Sequence, residues 1–260
     1  MFPLKLFLSI IKSHRIISKF KPQLVIGTGG FASGPLLKAA AQRGIPLLVQ
    51  EQNSYPGITN KWLAKNAQLI CVAYKGMEKY FPPQKIRLTG NPIRHILTKP
   101  LPERDIACSY FNVNPQKKVL LVLGGSLGAK RINMLIASKI NFFESLGIEV
   151  IWQCGQLYYE QYRDASNTKV KAHAFIKDMA MAYAAANFII SRAGALSVSE
   201  LSQVGKPVMF IPSPNVAEDH QTKNAKAIEE KNAAILIIER DLDAKFQDEF
   251  SELISNLKAV

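Results

Sequence analysis

Short apolar segments alternate with helical stretches along the whole chain, and this alternation constrains the fold more than any other feature. The first half contains the segments QLVIG, PLLVQ, QLICVA and KIRLTG, with helical patterns between them near 34–43, 57–66 and 75–80. The second half contains KVLLVLGG, IEVIWQC, KVKAHAF, NFIIS, KPVMFIP and AAILII. Continuously apolar strands separated by helices are typical of parallel sheets covered on both faces. The sequence therefore predicts an α/β protein.

Each half contains one glycine-rich turn between a strand and a helix, in QLVIGTGGFASGPLLKAA and in VLLVLGGSLGAKRINMLIA. Glycine permits positive φ and close backbone approach, and the free N–H groups at a helix start favour an anion. Tight packing of a strand on a helix also selects glycine. We expect the second helix to open near Ser126, with a diphosphate against the amides of residues 125–128. Two such turns favour two doubly wound domains that face a cleft holding the ligand.

The stretch SRAGALSVSE, residues 191–200, follows an apolar strand and opens a second candidate site. Gly194 and Ala195 leave the backbone bare at a helix start. Glu200 lies about one and a half turns into that helix, where a carboxylate accepts hydrogen bonds from two neighbouring hydroxyls, as on a ribose. The alternative is a solvated helix glutamate. Together the two sites describe a nucleoside diphosphate.

The charge balance favours an anionic partner, because 33 Lys and Arg residues stand against 20 Asp and Glu, a net charge of +13. The basic residues are spread along the chain and form no motif that reads RNA or DNA, so we expect no nucleic-acid partner. Cys71, Cys108 and Cys154 lack metal-ligand spacing and are interpreted as reduced thiols. No apolar run approaches the length of a membrane span.

The first twenty residues form a predicted amphipathic helix rather than a signal peptide, because Lys12, His14 and Arg15 interrupt the apolar run. One side of this helix carries Leu4, Phe7, Leu8, Ile11 and Arg15, and a neighbouring side carries Lys5, Lys12 and Lys19. One interpretation is a core helix with a solvated basic edge. The other is a helix that also contacts an anionic bilayer surface.

The sequence resembles the MurG family of glycosyltransferases in blocks that follow the family order over nearly the whole chain. These blocks are GTGGFASGP (27–35), EQNSYPGITNKWLAK (51–65), TGNPIR (89–94), LVLGGSLGAKRIN (121–133), residues 175–212 and DHQTKNA (219–225). The resemblance implies a GT-B fold and an inverting transfer of N-acetylglucosamine in bacterial peptidoglycan synthesis, with consequences for cell shape and division. It implies UDP-N-acetylglucosamine as donor, undecaprenyl-pyrophosphoryl-MurNAc-pentapeptide as acceptor, and no cofactor or metal. It also implies a peripheral location on the cytoplasmic face of the inner membrane.

The resemblance also assigns donor contacts. They match Asn53, Arg94, Ser126, Ile176, Gln221 and the run Ala195, Leu196, Ser197, Val198, Ser199 and Glu200. In this assignment Ser126 and its turn hold the diphosphate, the Ile176 backbone meets the uracil edge and Glu200 takes the ribose hydroxyls. Gln221 takes a hydroxyl of the transferred sugar. Arg94 as a surface ion-pair residue and Asn53 as a helix cap remain the alternatives.

No general base is assigned, and Glu51 and His220 are weak candidates. A structural carboxylate and a helix-capping histidine are the favoured interpretations of these two residues. In the family, a turn of the GGTGGH type faces the acceptor diphosphate and carries a candidate base. Nothing similar precedes GTGGFASGP, and Gln50 stands where many members have histidine.

From these departures we expect residues 1–93 to form an incomplete acceptor and membrane-side domain, 94–118 a linker and 119–260 the UDP-sugar-binding domain. We also expect the C-terminal helix to be shorter than in the family, and little transferase activity from this chain alone. The alternatives are a non-catalytic, membrane-associated protein that binds UDP-N-acetylglucosamine and an enzyme like UDP-N-acetylglucosamine 2-epimerase.

Overall fold

The computed structural model describes residues 2–255 and the side chains from Leu4 onward. It divides into two compact units, the first ending at Pro92 and the second beginning at Ile93. Each unit contains a parallel sheet and its own buried apolar core. The predicted α/β class is confirmed for both halves of the chain.

The first unit is a four-stranded parallel sheet in the order β1-β2-β3-β4. Its strands are β1 (Val25–Gly27), β2 (Leu47–Glu51), β3 (Leu69–Val72) and β4 (Ile86–Leu88). Its α-helices are α1 (Phe2–Phe20), α2 (Gly30–Gln42) and α3 (Ile58–Leu63). All four predicted strands are present. The third helix, predicted near 75–80, is a single 3-10 turn at Met77–Lys79 because Pro82 and Pro83 follow closely.

Strand β1 lies at the edge of this sheet. It pairs with β2 on one side, and no strand between residues 2 and 255 pairs with its other side. Val25 and Gly27 are buried, while the Ile26 side chain between them is 59% exposed, next to Leu24 at 50%. One face of β1 therefore packs on the core, and the other face is open.

The second unit is a six-stranded parallel sheet in the order β10-β9-β8-β5-β6-β7. Its strands are β5 (Lys118–Leu123), β6 (Ile148–Gln153), β7 (Val170–His173), β8 (Phe188–Ser191), β9 (Val208–Phe210) and β10 (Ile235–Leu236). Its α-helices are α4 (Arg104–Tyr110), α5 (Lys130–Ser138), α6 (Ile140–Ser145), α7 (Tyr159–Tyr162), α8 (Met179–Ala185), α9 (Ala195–Val204), α10 (His220–Glu229) and α11 (Leu242–Ser255). All six predicted strands are present.

The order of this second sheet reverses between β5 and β8. From β5 the chain builds outward through β6 to β7, and it then returns to the other side of β5 to build β8, β9 and β10. Loops that leave two such neighbouring strands diverge, which opens a crevice at the carboxyl ends of the strands. The strand order therefore favours a ligand site beside the ends of β5 and β8.

The segment 94–118, expected as a linker, belongs to the second unit. Leu97 lies in a 3-10 turn and Ala107 and Cys108 lie in α4, and all three are buried in the core. The guanidinium of Arg104 donates hydrogen bonds to the carbonyl oxygens of Ala185 (2.6 Å) and Lys117 (2.7 Å). The sequence did not predict α4, because seven residues are too few to show a clear helical period. The prolines on both sides also indicate an irregular connection.

Lys206 gives the second unit a pH dependence. Its ammonium group donates to the carbonyl oxygens of Ala184 and Ala186, and burial, aided by the charge of Arg104, lowers the pKa of Lys206 to about 8. Between pH 8 and the ordinary pKa of lysine, the unfolded chain binds a proton that the folded chain does not, so stability rises with pH there.

We predict that the free energy of unfolding gains about 1 kcal/mol from Lys206 between pH 8 and 10.5, since partial exposure screens some of the burial cost. Denaturant unfolding of the wild type and of Lys206→Met across this range measures the effect. The gain should be absent from Lys206→Met, because methionine has no proton to lose. Parallel pH profiles for the two proteins would contradict the prediction.

Candidate functional site

The ends of four neighbouring strands are aligned at one edge of the second sheet. Leu123 of β5 is in register with Gln153 of β6 and with Ser191 of β8, and Gln153 is in register with His173 of β7. The loops after these strands therefore start at the same level. Those loops carry the predicted phosphate turn, Ile176 and the SRAG segment, so the parallel topology brings these three predicted features to one edge.

The glycine-rich turn after β5 is a loop rather than a helix start. Helix α5 begins at Lys130, four residues later than expected, and Gly125, Ser126 and Leu127 are exposed. Gly125 has a φ of +83°, and the Gly128 amide donates to the Gly125 carbonyl oxygen at 3.2 Å. The expected helix-terminal anion site is therefore corrected to a turn whose exposed amides are set by glycine geometry. Such turns also bind anions through their N–H groups.

Two glycines lock this turn onto the segment that follows β6. Gly128 has a φ of +86°, and a Cβ atom on it would lie 2.1 Å from the carbonyl oxygen of Cys154. Gly155 has a φ of +91°, and its Cβ would lie 2.2 Å from the Gly128 nitrogen. No side chain of an L-residue fits between the two backbones. Direct contact between the two backbones therefore fixes the position of the turn relative to the end of β6.

Glu200 is buried in the middle of α9, with 8% of its surface exposed, so it is not a solvated helix glutamate. Its Oε2 atom accepts hydrogen bonds from Arg94 Nη1 at 3.0 Å and from the Tyr183 hydroxyl at 3.3 Å. Arg94 is half exposed, and the ion pair considered for it is made with Glu200 itself. Both hydrogen bonds use Oε2, so Oε1 keeps its capacity to accept from a ligand.

Tyr183 on α8 contacts the candidate site at Glu200, which the sequence did not reveal. Burial, followed by the charge of the Glu200 carboxylate, raises the pKa of Tyr183, so its hydroxyl stays protonated and donates to Glu200. The residue lies in an alanine-rich helix and resembles an ordinary core aromatic in sequence. Only the packing of α8 against the sheet shows that its hydroxyl reaches the carboxylate.

The predicted contact residues on α9 lie on different sides of the helix, because successive residues turn around its axis. Val198 is 1% exposed and lies in the core, whereas Leu196 is 48% exposed. Val198 donates its amide to the Gly194 carbonyl oxygen at 2.9 Å, and the Ser199 hydroxyl donates to Ala195 at 3.0 Å. The side chain of Val198 is therefore part of the core, and only the backbone of Val198 remains a predicted ligand contact.

Arg192, directly after β8, fixes the neighbouring loop. It donates to the carbonyl oxygens of Ile211 at 3.0 Å and Pro212 at 2.9 Å, and it forms an ion pair with Glu239 at 2.5 Å. Ser213 lies further along this loop, and its amide donates to Oε1 of Gln221, on α10, at 2.9 Å. The predicted sugar contact Gln221 therefore also holds the loop in place.

His220 braces the turn that precedes α10. Its Nδ1 lies 2.7 Å from the Ala217 carbonyl oxygen, so this nitrogen carries the proton. Glu218 and Asp219 before it both have positive φ, at +56° and +50°, and Asp219 accepts from the Thr222 hydroxyl at 2.6 Å. These contacts favour a structural role for His220 in the turn before α10, where Asp219 rather than His220 is the N-cap residue.

Glu51, at the end of β2 in the first unit, organises the loop that carries Asn53. The buried carboxylate accepts hydrogen bonds from the Asn53 amide (2.9 Å), the Asn53 side chain (3.2 Å), the Gly57 amide (3.1 Å) and Asn60 Nδ2 (2.8 Å). Four donors converge on two oxygens. This arrangement favours the structural interpretation of Glu51. The helix-cap alternative for Asn53 is wrong, because the N-cap residue of α3 is Gly57, and the Asn53 side chain bonds to Glu51 in the loop.

Models of two protein domains match the chain. The glycosyltransferase family 28 N-terminal domain matches residues 1–72, and the glycosyltransferase family 28 C-terminal domain matches residues 119–259. Together with two Rossmann-like parallel sheets, these matches define a GT-B glycosyltransferase. The chain belongs to glycosyltransferase family 28.

Particular relatives narrow this class. A protein of Flavobacterium psychrophilum, named UDP-N-acetylglucosamine–N-acetylmuramyl-(pentapeptide) pyrophosphoryl-undecaprenol N-acetylglucosamine transferase, is 55% identical over 98% of this chain and 70% of its own length. A protein of the same name from Christiangramia forsetii is 54% identical over the same shares. The crystal structure of Acinetobacter baumannii MurG superposes with a TM-score of 0.77 at 30% identity, over 98% of this chain and 72% of that one.

A more distant likeness shows the fold alone. The UDP-GlcNAc 2-epimerase of Methanocaldococcus jannaschii superposes with a TM-score of 0.60 at 15% identity, over 92% of this chain and 72% of that one. The two-domain architecture is therefore shared with enzymes of a different reaction class, and the fold does not decide between them.

We predict that Gly155→Ala lowers the free energy of unfolding by at least about 3 kcal/mol, because a Cβ there meets backbone atoms as well as an unfavourable φ. Gly147→Ala is the matched control, since Gly147 has a φ of +67° but open space around it. The control should cost about 1 kcal/mol, the φ penalty alone. Denaturant unfolding measures both, and equal losses would show that the backbone contact does not constrain the turn.

Proposed function

We propose that this chain transfers N-acetylglucosamine from UDP-N-acetylglucosamine to lipid-linked N-acetylmuramyl pentapeptide, converting lipid I to lipid II in peptidoglycan synthesis. The observation that carries the proposal is the identity of 55% with a transferase of that name over 98% of the chain. The geometry of the second unit supports it, because the predicted diphosphate turn and a buried carboxylate follow adjacent strands β5 and β8. The likeness to epimerases supports only the fold.

In this proposal UDP-N-acetylglucosamine is held by hydrogen-bond donors at its diphosphate and by a hydrogen-bond acceptor at its ribose. Exposed amides of the turn at Ser126 provide donors for the diphosphate, and Glu200 Oε1 provides an acceptor for ribose hydroxyls. Arg94, bonded to Glu200 through one guanidinium nitrogen, has other N–H groups to offer an anionic oxygen. Gln221 remains a predicted contact of the transferred sugar. Asn53, in the first unit, remains a predicted contact of UDP-N-acetylglucosamine.

Inversion requires direct displacement. The acceptor hydroxyl oxygen bonds to the anomeric carbon, the bond from that carbon to the phosphate oxygen breaks, and a base takes the hydroxyl proton. The amides at Ser126 stabilise the negative charge that develops on the departing UDP, which lowers the barrier. The contacts of Glu51 and His220 favour structural roles for both over that of the base.

We predict that Glu200→Ala weakens UDP binding by roughly 1.5–3 kcal/mol, the value of hydrogen bonds to a charged group. Calorimetry with UDP and with 2′,3′-dideoxy-UDP measures the effect. The wild type should prefer UDP, and Glu200→Ala should bind both ligands alike. The same variant should slow transfer of labelled N-acetylglucosamine to a lipid-linked acceptor.

Arg94→Ala is the matched control for the broken ion pair. It should weaken both ligands, because Arg94 acts on the diphosphate, while the preference for UDP over its dideoxy analogue persists. An unchanged preference in Glu200→Ala would remove Glu200 from the ribose site. Absence of any UDP binding by the wild type would overturn the proposed function.

We also propose that helix α1 attaches the protein to an anionic membrane surface. Ser13 and Ile17 are buried and α1 packs on α2, whereas Leu4, Phe7 and Leu8 are 64%, 61% and 56% exposed. The basic residues Lys5, Lys12 and Arg15 on the same helix are also exposed. Exposed apolar and cationic groups on one helix suit the headgroup region of a bilayer. Between residues 2 and 255 there is no helix with the length and hydropathy needed to span a membrane.

We predict that the protein sediments with vesicles containing anionic phospholipid and that binding falls as ionic strength rises. The double variant Lys5→Glu/Lys12→Glu should bind at least about tenfold more weakly, because each reversed charge near the surface counts for about 1 kcal/mol or more. Lys118→Glu/Lys231→Glu is the control, since it changes the net charge equally at exposed positions of the second unit. Equal losses from both variants, or indifference to lipid charge, would contradict attachment through α1.

A further inference from the structure

One buried carboxamide connects the two parts of the site that are expected to hold different parts of the donor. Gln153, the last residue of β6, is 5% exposed. Its Nε2 donates to the Gly125 carbonyl oxygen at 3.0 Å, and its Oε1 accepts from the Ile176 amide at 2.9 Å. Since one partner is an acceptor and the other a donor, the orientation of the carboxamide is fixed.

The first hydrogen bond sets the direction of a phosphate-binding amide. The Gly125 carbonyl and the Ser126 N–H belong to one planar trans peptide, so they point in opposite directions. Gln153 holds the carbonyl toward the end of β6, which directs the Ser126 N–H away from the sheet edge and outward. Gly125 and Ser126 are both exposed, so this N–H is directed toward the side open to a ligand.

The second hydrogen bond sets the direction of the backbone carbonyl that precedes Ile176. The Phe175 carbonyl and the Ile176 N–H likewise belong to one trans peptide and point in opposite directions. Because the N–H is held on Gln153, the Phe175 carbonyl is directed away from Gln153. A carbonyl oxygen is the partner that the N3–H donor of uracil needs, and cytosine carries no hydrogen at N3. The backbone around Ile176 thus presents an acceptor suited to uracil.

We propose that Gln153 is a positioning residue that couples diphosphate binding to uracil recognition through its single carboxamide. The proposal rests on the proposed function, because it concerns the same UDP site. Truncation of Gln153 leaves the buried Ile176 amide without this partner, and it leaves the Gly125 carbonyl to the Gly128 amide at 3.2 Å. Both peptides are then held less firmly in their directions. The strand register keeps Gln153 level with the ends of β5 and β7, between the two loops that it bonds.

Affinities for UDP, CDP and uridine separate the two effects. Gln153→Met has a similar shape and no charge, and it removes both hydrogen bonds. We expect about 5- to 20-fold weaker uridine binding, a reduced preference for UDP over CDP, and a reduced gain in affinity from uridine to UDP. Gln153→Glu keeps the acceptor for Ile176, so its uridine affinity should return to within about threefold of the wild type while UDP stays weak.

Asn187→Leu is the control for a purely structural role. The Asn187 carboxamide also joins elements, since its Oδ1 accepts from the Val119 amide at 2.8 Å and from Arg104 at 3.0 Å, but it lies at the opposite end of the strands. This variant should lower the melting temperature without ligand and leave UDP affinity unchanged. Gln153→Asn provides a milder second variant, because its shorter carboxamide reaches at most one partner and must lose at least one of the two effects.

The outcomes are distinct. In one outcome the wild type binds UDP, while Gln153→Met and Gln153→Asn keep the wild-type affinity for uridine, the preference for UDP over CDP and the gain in affinity from uridine to UDP. That outcome would overturn the coupling and leave the proposed function intact. Equal loss of UDP affinity in Asn187→Leu would also overturn it, because general destabilisation would then explain the effect. Failure of the wild type to bind UDP would overturn the proposed function together with this inference.

Discussion

The common direction of the six strands in the second sheet is the constraint on which the site depends. Parallel strands end at the same edge, so loops that are far apart in sequence leave the sheet side by side. The register of Leu123, Gln153, His173 and Ser191 shows this alignment. Strands β8 and β9 are buried on both faces, as is β5 beyond its first residue, so apolar side chains pack on either side of the central sheet. The turn at Ser126, the Ile176 segment and the start of α9 all extend from this packed support.

The ribose role proposed for Glu200 requires a carboxylate that is buried and still has an oxygen available. At Glu200 these demands are met by dividing the two oxygens, since Arg94 and Tyr183 both use Oε2. The ion pair offsets the cost of burying the charge. The neutral tyrosine holds the geometry without cancelling that charge. The carboxylate is thus fixed before any ligand arrives, which reduces the ordering cost of binding.

The sequence was sufficient for the strands and for the location of the turns, because a buried parallel strand has an unambiguous apolar pattern. It was insufficient for the start of α5, since GGSLGAK contains the small residues of both a helix start and an extended turn. Helix α4 was also missed, because its seven residues are fewer than a periodic pattern needs. Tyr183 and Gln153 contribute through contacts with residues 17 and 28 positions away. Such long-range partners leave no local signal in one sequence.

The open edge at β1 has a consequence for how the first unit meets other polypeptides. The outer side of Val25–Gly27 presents main-chain donors and acceptors in the spacing of a strand, beside the apolar side chains of Leu24 and Ile26. An edge of this kind is a template on which any extended segment with matching apolar residues can be added, whether from the same polypeptide or from another molecule. Pairing between two copies at this edge would increase with protein concentration, and a lysine in place of Ile26 would discourage it by placing a charge there.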